Sequence, residues 1–246
     1  MPRLSIIILT HNQKDITLYC LRTLHQFAEH DSDVEIIIVD NGSIDNTQEE
    51  ITAQFNNIRY IKRDKNIGVA RGRNIGIKAS TGKYILLLDN DTTPSVKAIN
   101  DLVEILDQSS DIGILAPRLI SPKGETQTSY KKFPGILEKL KNLLGRKQTD
   151  IEYPTTPIEP FYVIGACQLF RRELIEQIGL LDENIFFGPE DADFCIRVRN
   201  AGYKIVYYPD ISIIHDWQRA SSRNIFSKIS IMHLKALIYF YIKHNR

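Results

Sequence analysis

The stretch KYILLLDNDTTP, Lys83 to Pro94, runs five apolar or aromatic residues straight into two aspartates, Asp89 and Asp91, with Asn90 between them. It reads as a buried strand that ends in paired negative charge. An unpaired carboxylate is strongly unfavourable in a packed interior, so such an ending calls for a cation nearby. Side chains alternate along an extended backbone, which lets Asp89 and Asp91 face one side and sends Asn90 to the other. Two hard oxygen donors in that arrangement suit Mg²⁺ or Mn²⁺, ions that keep waters and share a diphosphate. The same letters are also good turn and cap chemistry, so this stretch alone leaves both readings open.

Outward from that strand, the first half of the chain alternates short apolar runs with amphipathic stretches, the pattern of an α/β protein with a mostly parallel central sheet flanked by helices. LSIIILT is the first strand, VEIIIVD the second, IRYIK the third and YILLL the fourth. Between them, Asp15 is expected to cap a helix carrying Leu18, Leu21, Leu24 and Ala28 at helical spacing. Thr47 with Glu50 fits a capping box, and Val69 to Ser80 is expected to be a helix closed by Gly82. Each strand runs into a polar loop, Thr10-His11-Asn12, Asp40-Asn41-Gly42, Arg63-Asp64-Lys65-Asn66 and Asp89-Asn90-Asp91. In open parallel sheets ligands bind at this carboxyl edge.

Beyond Asp91 come a helix with Val96, Ile99, Leu102, Val103 and Leu106 on its apolar positions and a strand, IGILAPRLI. Ser121 to Pro160 is rich in proline and lysine and reads as an excursion with one short helix near Ile136 to Leu144. Regular pattern returns at FYVIGACQLF. A helix from Arg172 to Ile178 stops at Gly179, and another opens at Pro189 and closes at Gly202. YKIVYYP and ISIIH are expected as the last two strands.

Bulk composition narrows the function classes. The 246 residues are 43% hydrophobic and carry 31 Lys plus Arg against 30 Asp plus Glu, a net charge of +1. That balance offers no general attraction for nucleic acid, so binding must be local. Cys20, Cys167 and Cys195 lie far apart without metal-site spacing and read as small buried hydrophobes in a reducing compartment. LSIIIL is followed at once by polar residues, too short for a signal peptide, and no apolar run approaches the ~18 residues of a membrane-spanning helix. The expected location is the cytoplasm.

Several polar positions carry a structural and a functional reading together. Asp40 begins an Asp-Asn-Gly turn, yet it stands at a strand end beside the others. NIGVARGRNIGIKASTGK is basic and glycine-punctuated, but its spacing fails the Walker pattern; Arg71 and Arg73 are either solvated helix residues or phosphate contacts. GPEDAD places Glu190, Asp191 and Asp193 in a first helical turn, where the dipole favours acids and Asp193 can pair with Arg197. His215 closes an apolar strand and is either a satisfied core histidine or a nitrogen ligand.

The order of these segments resembles the family-2 inverting glycosyltransferases of the GT-A fold over nearly the whole chain. The matching blocks are SIIILTHN, IIIVDNGSIDNT, NIGVARGRNIGIKASTGKYILLLDNDTTP and GACQLFRRELIEQIGLLDENIFFGPEDADFCIRVRNAGYKIVYYPDISIIH. The last block is most similar to bacterial rhamnosyltransferases of surface polysaccharide assembly. This resemblance implies one GT-A domain. Residues 1–118 would form a Rossmann-like nucleotide-sugar half, 119–160 a variable excursion, 161–222 the acceptor half and 223–246 an amphipathic helix. It further implies that Thr10, Asn12, Asp40, Arg73, Asn74, Asp89 and Asn90 line the nucleotide-sugar site. Asp40 would meet the base, Arg73 and Asn74 the diphosphate and Asp89 the ribose. Asp91 and His215 would bind Mg²⁺ or Mn²⁺, Asp191 would be the catalytic base, and Glu190 and Trp217 would lie on the acceptor side. His11 stands where many relatives have tyrosine.

The implied donor is a UDP- or dTDP-linked sugar and the acceptor a glycan or lipid-linked hydroxyl. The carboxyl-terminal helix, with Ile229, Met232, Ala236 and Phe240 among Lys228, Lys235, Lys243 and Arg246, is expected to pack on the domain through its apolar face. Its alternative role is peripheral contact with an anionic membrane at the cytoplasmic face. Two rival functions are a sugar-phosphate nucleotidyltransferase, which would open on a glycine- and lysine-rich phosphate loop unlike LTHNQKDIT, and a non-catalytic sugar-nucleotide binder.

Overall fold

The computed structural model describes residues 2–30, 33–131, 153–216 and 228–244. The helix expected over Ile136 to Leu144 and the acceptor-side Trp217 lie outside these residues. Among the described residues, ten strands and seven helices follow in chain order: β1 Leu4–Thr10, α1 Lys14–His30, β2 Val34–Asp40, α2 Thr47–Gln54, β3 Ile58–Lys62, α3 Val69–Ala79, β4 Tyr84–Asp89, β5 Thr92–Thr93 and α4 Val96–Asp107. They continue with β6 Ile112–Ile120, β7 Tyr130–Lys131, β8 Tyr162–Val163, β9 Cys167–Arg171, α5 Arg172–Ile178, α6 Glu190–Asn200, β10 Lys204–His215 and α7 Lys228–His244.

Eight strands form one sheet in the order β3-β2-β1-β4-β9-β6-β10-β5. β1, β2, β3 and β4 are mutually parallel, as are β6 and β10, whereas β9 runs antiparallel between β4 and β6. The continuous apolar runs of β1 and β4 follow from burial on both faces. Ile6, Ile8, Leu86 and Leu88 pack in one core with α1 and α4, and Ile7, Ile85 and Leu87 pack in the other with α3, α5, α6 and Phe240 of α7. Each such buried aliphatic side chain contributes about 1.5–3 kcal/mol over an exposed one, so neither face could be polar without loss of the layer on it.

The glycines of α3 have a packing role. A Cβ at Gly72 would lie 2.4 Å from Leu9 Cδ1, and one at Gly76 would lie 2.3 Å from Ile7 Cγ2. Glycine at these two positions therefore lets the helix backbone approach β1, and the RGRNIG segment sits on the sheet as a close-packed helix.

Four local expectations are corrected. α3 ends at Ala79 with Ser80 as its cap, and is not closed by Gly82, whose N–H instead donates to Ser5 Oγ at 2.8 Å and Glu35 Oε1 at 3.1 Å. α2 has no capping box: Asn46, left-handed at φ 59°, precedes it without a side-chain cap, and Thr47 bonds back to Asp45. α1 opens at Lys14, with Asp15 inside its first turn and the Lys14 N–H held by Asp45 at 3.0 Å. YKIVYYP and ISIIH form the single strand β10, which crosses Pro209 through a register shift between Tyr208 and Ser212.

Register then places the polar strand ends along one edge. Thr10 lies opposite Asp40, Leu9 lies opposite Asp89, and His215 lies opposite Thr92.

Candidate active site

The acidic pair that ends β4 meets the end of β10. Asp89, Asp91 and His215 each bring one ligand atom to a group in which all three atoms lie within 4.8 Å of one another. His215 Nε2 is 3.3 Å from Asp91 Oδ1. A neighbouring backbone bond, Asp216 N–H to the Asp91 carbonyl at 2.8 Å, locks the two strand ends together. Two carboxylate oxygens and one imidazole nitrogen form a donor set suited to Mn²⁺ or Mg²⁺, so the residues fit a divalent ion. Burial draws the His215 pKa down, but Asp91 and then Asp89 outweigh it, and the net direction is upward. Asn90 points the other way, its amide donating to Thr17 at 2.9 Å and Gln13 at 3.1 Å. The alternation read from the strand thus separates ligand from structural amide.

Behind this group lies a buried guanidinium. Arg73, 5% exposed, bonds Asp89 at 2.6 Å and the Gly165 carbonyl at 2.9 Å, and lies 3.5 Å from Glu190. It is a bridge between β4 and the start of α6 and not a solvated helix residue. Gly165 also donates its N–H to Asp191 Oδ2 at 3.2 Å. A Cβ at Gly165 would fall 2.4 Å from Arg73 Nη1. One glycine thereby joins the metal-side carboxylate to the candidate base, and its importance was hidden in the sequence because the partners are distant in it. Asn74, beside Arg73, has both ends of its amide engaged by Leu181 and Glu183 and holds that segment against α3.

At the start of α6 the three acids have three environments. Glu190 is buried, and its Oε2 makes no hydrogen bond among the described residues. Burial first and the Asp191 charge second push its pKa up to about 7, against the pull of Arg73. Asp191 is half-buried and accepts from Gly165 and from the Ala192 N–H at 2.7 Å. Asp193 is fully buried and structural, as its spacing from Arg197 implies: Arg197 lies 2.9 Å away, Lys243 2.5 Å and His244 2.8 Å. The last two come from α7, which also donates from His233 Nδ1 to the Phe187 and Gly188 carbonyls at 3.1 and 3.0 Å. A terminal helix therefore braces the approach to Glu190.

On the opposite side of the edge, Asp40 accepts from the Ser43 N–H at 2.8 Å and the Tyr60 hydroxyl at 2.7 Å. Asn12, left-handed at φ 53°, accepts from the Ile44 N–H at 2.9 Å, while its own N–H donates to Ser43 Oγ at 2.9 Å. Thr10 shares a 2.8 Å bond with Thr17. These residues together shape the loop over residues 40–46. Asn41 extends it to Asn66 at 3.1 Å, beside a cavity of about 410 Å³ lined by Lys65, Asn66, Ile67, Arg71, Glu183 and Phe186. Tyr60 and Gln127, which bonds His215, were not legible as site residues because their partners are 20 and 88 positions away.

Known proteins are similar to this chain in sequence and fold. The chain is 24% identical over 234 residues to an N-acetylglucosaminyl-diphospho-decaprenol L-rhamnosyltransferase of Mycobacterium tuberculosis, covering 86% of this chain and 76% of the relative. It is 25% identical to the dTDP-rhamnosyl transferase RfbF of Shigella flexneri, over 73% of this chain and 59% of that one. Among solved structures, a mannosyltransferase from Pyrobaculum calidifontis in complex with GDP-Man and Mn²⁺ superposes with a TM-score of 0.68 at 17% identity, covering 98% of this chain and 64% of its own. GalNAc-T7 with UDP, GalNAc and Mn²⁺ superposes with a TM-score of 0.69 at 18% identity, over 97% and 48%. The chain thus spans less than two thirds of either solved chain, and these likenesses establish the GT-A fold. The model of "Glycosyl transferase family 2" matches residues 5–179, well over half of the sequence, and the protein belongs to that family of glycosyltransferases.

Proposed function

We propose that the protein transfers a sugar, with inversion, from a UDP- or dTDP-linked donor to the hydroxyl of a glycan or lipid-linked acceptor. The observation that carries this reading is the convergence of Asp89, Asp91 and His215 at one sheet edge, joined through Arg73 and Gly165 to Asp191. Asp91 and His215, with Asp89 beside them, would hold Mg²⁺ or Mn²⁺, which when bound stabilises the charge on a departing nucleoside diphosphate. The loop shaped by Thr10, Asn12 and Asp40, next to the Asn66 cavity, supports a nucleotide seat, with Asn90 fixing its floor. Arg73 and Asn74 contribute by holding Asp89 and the 181–183 segment in place.

Asp191 takes the acceptor proton as the hydroxyl oxygen attacks. A carboxylate is a weak base toward a sugar hydroxyl, so the proton moves late, in concert with bond formation. Glu190, buried against Arg73, helps orient the acceptor, while Asp191 is held by the Gly165 and Ala192 N–H groups. The names of the relatives, which include lipid-diphosphate and dTDP-rhamnose chemistry, support an acceptor and donor of those classes.

Peripheral membrane contact through α7 is part of the proposal, with a different face from the one expected. Ala236 and Phe240 are buried against the domain, whereas Ile231, Leu234, Ile238 and Ile242 form an exposed stripe on the far side. Lys235 is exposed beside that stripe, and no Asp or Glu follows Asp216 in the sequence. An apolar stripe with cationic flanks suits an anionic lipid surface. No helix among the described residues is long and apolar enough to cross a membrane.

The test is release of nucleoside diphosphate from a panel of UDP-, dTDP- and GDP-sugars in the presence of a lipid-linked acceptor. Release confined to UDP or dTDP donors, and abolished by chelator, is expected; full turnover in excess chelator defeats the metal reading. Flotation with anionic vesicles at low salt tests the membrane contact, and its absence defeats that part alone.

A further inference from the structure

We infer that Gln127 is a positioning residue that fixes the tautomer of His215 and aims its Nε2 lone pair into the metal site. The inference rests on the reading of Asp91 and His215 as ligands and adds a residue outside that set. Gln127 makes two bonds to one residue: its Nε2 lies 2.8 Å from the His215 carbonyl, and its Oε1 lies 2.8 Å from His215 Nδ1.

The direction of both bonds follows from chemistry alone. A carbonyl oxygen only accepts, so the amide nitrogen of Gln127 must face it, and the amide oxygen is then left facing the ring. An amide oxygen also only accepts, so His215 Nδ1 must carry a proton. In the neutral ring Nε2 is therefore the unprotonated nitrogen, and it is the atom 3.3 Å from Asp91 Oδ1 in the donor group. A ligating histidine is commonly oriented in this way through its second nitrogen.

The placement of Gln127 is itself secured. Its N–H donates to the Leu119 carbonyl at 2.8 Å, and Thr126 bridges Ile120, so the turn after β6 delivers the amide to the end of β10. His215 is 3% exposed, which limits any rescue by bulk water when Gln127 is lost. Without the amide oxygen, the proton of the neutral ring is best placed on Nε2, facing Asp91, where it blocks a metal ion.

Two readouts test this on the full chain, with Gln127→Leu, Gln127→Glu and His215→Ala beside the wild type. Imidazole ¹⁵N NMR of the metal-free protein at pH 9 should show His215 protonated at Nδ1 in the wild type and in Gln127→Glu, which keeps the acceptor. In Gln127→Leu the proton should move to Nε2. Mn²⁺ affinity, read from the EPR signal of the free ion with UDP present, should fall by roughly 10–100-fold in Gln127→Leu and by less in Gln127→Glu, which keeps the acceptor for Nδ1 but loses the donor to the His215 carbonyl. An unchanged tautomer in Gln127→Leu, or equal losses of affinity in both Gln127 variants, overturns the proposal. If His215→Ala weakens Mn²⁺ binding and Gln127→Leu does not, the positioning role alone falls. If His215→Ala has no effect, the ligand role of His215 falls and takes the proposal with it.

Discussion

The acids at the end of β4 and the acids at the start of α6 look alike as strings of letters, DND and EDAD, yet the fold treats them in opposite ways. Asp193 is sealed in the interior, and Arg197, Lys243 and His244 converge on it. Among the described residues, Asp89, Asp91, Glu190 and Asp191 gather around Arg73 and His215. The first arrangement is complete as it stands. Among the described residues, the second has an excess of negative charge. A buried acid with enough internal cations is part of the framework, while a cluster of acids with too few is built to receive charge from outside.

Asp91→Ala attacks the second arrangement most directly. Transfer should fall on the order of 10⁴-fold or more, several kcal/mol of lost charge stabilisation, with circular dichroism and melting temperature close to wild type. Near-normal turnover would mean that the cluster does not bind a catalytic ion. Asp191→Asn should cost roughly 10²–10⁴-fold in transfer rate and leave donor binding unchanged, with a smaller loss for Glu190→Gln. If the amide at 190 were the worse of the two, the base would be Glu190.

The first arrangement predicts a loss of a different kind. Asp193→Ala removes the centre of a buried ion cluster and should destabilise the fold by about 3–5 kcal/mol, measured by urea denaturation, and loosen α7. Unaltered stability would place Asp193 with the functional acids and erase the contrast.

The smallest effect expected is a pH dependence. Burial raises the folded-state pKa of Glu190 to about 7, above its ordinary value of 4.5. Between these two values the folded protein binds more protons at this site than the unfolded chain, so its contribution to stability is present below pH 4.5 and declines as pH rises through about 7. Glu190→Gln should flatten that part of the stability profile between pH 5 and 8. A profile identical to wild type would show that Glu190 is already ionised at the lower pH.

Periodicity made most of the framework legible. The runs at β1, β2, β3, β4 and β6 are strands because they are short, apolar and bounded by polar turns, and their carboxyl ends mark the edge where the site forms. The pairing of Asp193 with Arg197 was equally readable, being a contact across one turn of a single helix. Glycine chemistry was misleading: Gly82 had the look of a helix stop and is instead a close contact with Ser5, while the punctuation of α3 is a packing device against Leu9 and Ile7. Helix starts at Lys14 and Thr47 were set by Asp45 and the left-handed Asn46 instead of the expected caps.

By itself, then, the sequence determined which segments are strands and helices, where the polar edge runs and which acids stand on it, since these depend on periodicity and on neighbours within a turn or two. Only the tertiary structure decided what those acids meet. β9 inserts antiparallel between β4 and β6, and with the turn before it delivers Gly165 to Arg73 and Asp191. Arg73 reaches across 117 positions to Glu190, and α7 returns across 50 to neutralise Asp193. Charge balance is a sum over all groups within a few ångströms, and groups that far apart along the chain become neighbours only when the sheet closes.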